Sequence, residues 1–89
     1  MKLLAATTQG VTTNTTVGSA TAVYVTTKAA TVISVIASDG TASGTDGTLV
    51  GSVDLPDGWT GVIHKDSDQF LRSNVNTPEY TKIADGISA

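Results

Sequence analysis

Cysteine is absent from the 89 residues. That excludes a disulfide framework, a thiolate zinc site and a thiol nucleophile. Aromatic residues make up only 4% of the chain, and the bulky aliphatics are few, with ten Val, five Ile and five Leu. A core built from valine and from ten alanines buries little area. At roughly 25 cal/mol per Å² of apolar surface it gives a modest return against the entropy of ordering the chain. Small domains without disulfides or metals commonly draw further stability from partners, so the composition points to oligomerisation or a docked state. Cations are scarce and scattered (Lys2, Lys28, Lys65, Arg72, Lys82) and the net charge is −3, which argues against a phosphate-neutralising nucleic-acid surface. Long apolar runs are missing too. Leu3-Leu4-Ala5-Ala6 imitates the start of a signal peptide but stops at Thr7. A secretory segment needs about 7–15 apolar residues and a membrane span about 20. The expectation is a soluble protein made in the cytoplasm, with no membrane partner. The length allows one domain.

What the chain has is threonine, with 16 copies, and eight serines. Threonine and valine are β-branched and suit a pleated surface, whereas apolar spacing of three and four is missing from any window longer than about ten residues. Asp-Gly occurs at 39–40, 46–47, 57–58 and 85–86. Glycine supplies positive φ and aspartate bonds its own local backbone, so these pairs are turn punctuation between strand-length pieces. Strands are expected over 20–27 and 31–38, joined as a hairpin through Lys28-Ala29-Ala30, and over 48–55, 59–65 and 79–84. Residues 69–72 read as either a short strand or one helical turn. The run 31–38 is apolar on both faces, with Val32 and Ile36 opposing Ile33 and Val35, which asks for a central or covered strand. In 48–55, Leu49, Val53 and Leu55 are expected on one face. The sum is an all-β fold: a small antiparallel β-sandwich or barrel of six to seven short strands in meander order, with an extended N-terminal arm. Residues 1–18 form the arm or an edge strand, and 19–89 the single β domain.

No motif names a reaction. His64 is the only histidine and has Asp66, Asp68 and serines near it in sequence, but no nucleophile elbow accompanies it; a solvent-facing histidine is the simpler reading. Asp66-Ser67-Asp68 resembles half of a calcium loop without the remaining ligands or a closing glutamate at the required spacing, so it reads as a solvated turn. Gly40-Thr41-Ala42-Ser43-Gly44 lacks the Lys-Ser/Thr ending and following helix of a phosphate loop. Neither a metal, a cofactor nor an enzymatic activity is expected. Trp59 is either a core or rim aromatic or a contact anchor. The Thr/Gly/Asn-rich N-terminal segment has few apolar anchors, namely Leu3, Leu4, Val11 and Val17. It reads as a loose terminus, or as a strand offered to a neighbouring subunit's sheet edge.

Val23-Tyr24-Val25-Thr26, Ala30-Thr31-Val32-Ile33-Ser34-Val35, Gly61-Val62-Ile63-His64-Lys65-Asp66-Ser67-Asp68 and Tyr80-Thr81-Lys82-Ile83-Ala84 together carry a resemblance over residues 20–84. The chain resembles the small Thr/Ala/Gly-rich β-proteins encoded among virion genes of tailed bacteriophages, particularly those of marine and cyanobacterial hosts. The resemblance implies a structural virion protein. It would be a capsid cement (decoration) protein on the outer surface of the major capsid protein or, less often, a neck or tail component. Its partners would be the major capsid protein and copies of itself. The contacts are expected in Leu3, Leu4, Val11 and Val17, in Asp46 of the 39–47 loop, and in Trp59 and Tyr80. A host-glycan-binding adhesion module, with Trp59 and Tyr24 stacking on sugar, is the alternative.

Overall fold

The structure, a computed structural model, describes residues 1–38 and 44–84. Residues 39–43 of the expected 39–47 loop, and residues 85–89, lie outside the described residues. Seven strands form: β1 (Thr8–Gln9), β2 (Ala22–Thr26), β3 (Thr31–Ala37), β4 (Thr48–Leu55), β5 (Thr60–His64), β6 (Phe70–Ser73) and β7 (Glu79–Ile83). No helix forms among the described residues. Two antiparallel sheets pack together, one ordered β1-β7-β2-β5 and the other β4-β3-β6. The protein is an all-β sandwich, and residues 70–73 resolve as a strand.

The connections correct two expectations. β2 and β3 do not form a hairpin. They lie in different sheets, and residues 27–30 carry the chain across the sandwich. The order is not a meander either: among the described residues β3 and β4 are the only consecutive strands that pair. The physical reason lies in the side chains. Val23 and Val25 of β2 and Ile33 of β3 are all fully buried in one cluster with Ala20, Leu55, Leu71 and Tyr80. Stacking the two strands face to face buries both apolar rows, where a hairpin would set them side by side in one sheet. A second arch, residues 56–59, joins β4 to β5 beside the first. Thr27, buried between the arches, ties them together. Its hydroxyl donates to Pro56 O (2.6 Å) and accepts from Trp59 N (2.8 Å). Its backbone exchanges bonds with Trp59 O and Gly58 N. Gly58 holds φ near +80° in that turn, a conformation glycine adopts without steric cost.

β3 is central in its sheet, as its two apolar faces require. β4 departs from the expected alternation. The ladder pairs Val35 with Gly51 but Ile36 with Leu49, so Val50 is an extra, bulged residue. Because paired residues share a face, the bulge puts Leu49 on the face of Ile36, opposite to Val53 and Leu55.

The N-terminal segment also departs from the extended arm. It is folded along its own body. β1 pairs with β7 through Thr8–Tyr80 and Gln9–Glu79, Leu3 bridges Ile83, and Thr15 bridges Leu71 of β6. The edge-strand expectation for this segment describes it better, with the receiving edge being its own.

Candidate functional site

The sandwich has two lateral flanks. On one, β7 and β6 are joined by residues 74–78; on the other, β4 and β5 are joined by the 56–59 arch.

On the β6/β7 flank the N-terminal segment supplies backbone partners to both sheets. Leu4 N donates to Lys82 O, Ala84 N to Lys2 O and Gly10 N to Pro78 O on the β7 side. Thr15 and Leu71 exchange bonds, and Ser73 N donates to Val11 O, on the β6 side. Thr7 and Thr81 share a hydroxyl bond of 2.8 Å. Gly10 is buried against Pro78 and the tip of the Tyr80 ring, so closely that a Cβ there would sit 2.7 Å from Pro78 Cγ and 3.0 Å from Tyr80 Cζ. The segment leaves the flank through Val17, Gly18 and Ser19, all at positive φ. Hydroxyls hold this reversal, with Thr15 Oγ1 accepting from Val17 N and Thr16 Oγ1 from Ser19 N. A β-branched residue in the left-handed region is strained, and Val17 is kept there by packing against the core.

This flank gathers five of the sequence-predicted contact residues. Leu3, Leu4 and Val11 stand exposed on the segment, Leu3 at 64% and Leu4 at 48%. Val11, Val17 and Tyr80 line a cavity of about 350 Å³ between the segment and β7. Tyr80 is corrected from contact residue to core: it is fully buried, and its hydroxyl has no hydrogen-bond partner. Burial pushes its phenol above the ordinary value of 10.0, opposed by the neighbouring Ser73 hydroxyl, whose own bonds go to the carbonyls of Val11 and Val75.

The other two predicted residues lie elsewhere. Asp46 is exposed, and its carbonyl accepts from Asn14 Nδ2 at 2.6 Å. Trp59 is half-buried, packed on the core cluster with its ring laid over Gly61. That seat takes up one face of the ring.

The β4/β5 flank is open. Among the described residues β4 pairs only with β3, and seven of its eight residues are exposed. Leu49, Val50 and Val53 stand 56%, 58% and 46% exposed. Sequence reading set Leu49 and Val53 on one face together with Leu55. The bulge at Val50, which sets Leu49 and Val53 on opposite faces, was invisible to periodicity.

His64 sits exposed on β5 opposite Ala22. Asp66-Ser67-Asp68 is a turn closed by Gln69, whose N donates to Asp66 O while its side chain accepts from Asp66 N. Lys65, missed in the sequence, is buried and donates to Ala20 O at 2.7 Å. Burial holds its ammonium below the usual lysine range, opposed by the carboxylates of Asp68 and Asp66. Arg72, Ser34 and Asn74 line an open polar groove on the outer face of the β4-β3-β6 sheet, where Arg72 donates to Thr45 O at 2.6 Å. Among the described residues no group of three His, Asp or Glu side chains is placed to hold a metal ion, and no helix is long and apolar enough to cross a membrane.

The fold and these surfaces define a class, a small all-β sandwich with apolar side chains displayed on both flanks. No protein-family model matches the chain, and no curated protein or solved structure matches it.

Proposed function

We propose that the chain is a structural virion protein of the capsid-cement kind, docking on the outer surface of a major capsid protein and stabilising the shell. One observation carries the reading. Leu3 and Leu4 are large aliphatic side chains held in water by a segment that is itself bonded down to β7. Apolar groups preorganised in this way bind without a further ordering cost, and apolar surface rimmed by polar residues marks protein-contact sites. Repetition on a lattice turns a weak single contact into firm attachment by avidity. Binding only the assembled shell stabilises it by linkage. The resemblance to phage β-proteins supplies the partner and the location on the capsid surface.

The test is incorporation. Leu3→Asp/Leu4→Asp is expected to leave the unfolding midpoint within a few degrees of wild type and to cut particle occupancy at least about tenfold. Unchanged occupancy, or particles whose heat resistance does not depend on the protein, sinks the reading. Copy number separates shell from neck or tail: a lattice takes hundreds, a symmetric ring about six or twelve.

A further inference from the structure

The chain closes one flank of its sandwich with its own N-terminal segment and, among the described residues, leaves the other without a partner strand. β4 is the longest described strand. No lysine or proline lies within it and its one charge is Asp54; the bulge at Val50 interrupts only its first half, leaving residues 51–55 regular. Such an edge, with Leu49, Val50 and Val53 exposed and no second partner strand among the described residues, is a template for another strand.

The strand's own pattern names the occupant. A two-fold axis normal to the sheet pairs identical strands antiparallel, and paired residues must share a face. The bulge at Val50 confines regular pairing to residues 51–55. Three registers keep the faces matched there. One with Ser52 on the axis sets bulged Val50 against the second copy's Asp54. One with Asp54 on the axis opposes two carboxylates, which is unfavourable. The third, with Val53 on the axis, uses all of 51–55. It sets Val53 against Val53, Gly51 against Leu55, where the missing side chain leaves room, and Ser52 against Asp54, where a hydroxyl can donate to the carboxylate.

We infer that two copies of this chain associate through β4, antiparallel about Val53, joining their β4-β3-β6 sheets into one continuous sheet. A single strand pair is small beside the ~800 Å² per partner of a standard interface, so the association is concentration-dependent. The inference stands apart from the shell-docking reading, whose test uses the opposite flank.

Sedimentation equilibrium on the full chain tests it. Wild type is expected to pass from monomer to dimer between about 1 µM and 1 mM, the range of weak interfaces. Val53→Lys and Val53→Glu, each placing like charges across the axis, are each expected to weaken association at least about tenfold. Their unfolding midpoints should stay near wild type because the site is exposed. Mixing the two variants should restore a heterodimer, because only a Val53-centred axis brings Lys and Glu face to face. A wild-type chain that stays monomeric at about 1 mM, whether or not it accepts a strand from another protein, overturns the inference. So does undiminished association of both variants, or a mixture that does not associate.

Discussion

On the β6/β7 flank, residues 2 to 15 give backbone partners to both sheets, cover Tyr80 and seat Gly10 against Pro78. On the β4/β5 flank, the described residues give β4 a partner on one side only. The difference concerns where the stabilising work is done. A sandwich of this size has a thin core, and each open sheet edge exposes amide and carbonyl groups. Using the chain's own terminus on one side makes that side part of the folding unit. Leaving the other side bare makes it a surface, with apolar residues that core burial has not used.

The sharpest way to break this comparison is to remove the covering segment. Deleting residues 1–11 strips β7 of its neighbour and opens the Tyr80 site. It is expected to cost more than about 3 kcal/mol, read as loss of a cooperative denaturant transition. A deletion that melts like wild type would mean the segment is a loose terminus after all.

Next in size is a pair of matched glycine substitutions. Gly10→Ala forces a methyl into Pro78 and Tyr80 and should destabilise by about 1–3 kcal/mol. Gly51→Ala, on the bare strand with nothing within 4 Å of its would-be Cβ, should be neutral or stabilising by up to about 1 kcal/mol through the unfolded state, measured at dilute concentration. Equal effects would erase the distinction between the flanks.

The smallest effect at neutral pH belongs to Tyr80→Phe. Removing a buried hydroxyl without a partner should leave stability unchanged or raise it by about 1 kcal/mol. The contrast grows with pH. Burial raises the phenol's folded-state value above 10.0, so the unfolded chain ionises first. The stability tied to this proton is intact below pH 10 and is lost as pH rises beyond it. The phenylalanine variant should lose less stability than wild type between neutral pH and pH 11, in paired denaturant titrations. Parallel curves would show that Tyr80 ionises alike in both states.

Much of the fold was legible in the residues. The β-branched runs 22–26 and 31–37 form strands, the Asp-Gly pair at 57–58 turns the chain, and the double-faced 31–37 run is central. The errors have particular causes. The run of Val23 and Val25 followed by Ile33 and Val35 reads as a hairpin, because periodicity is blind to whether two strands lie side by side or face to face. Tyr80 reads as a contact aromatic because nothing local says that Gly10, seventy residues away, will close over it. Leu49 and Val53 read as sharing one face because a bulge is a property of the pairing between strands. The N-terminal leucines and Val11 stand out in sequence by their isolation among polar residues, and they are exposed. The open β4 edge does not stand out.

By itself the sequence determined the secondary-structure class, the positions of the strands and a core too thin to be generous, because backbone preference and side-chain volume are local quantities. Only the tertiary structure decided which edge the terminus would cover and which apolar residues would be left in water. Those outcomes depend on strand order and register, which are set by how distant faces fit together.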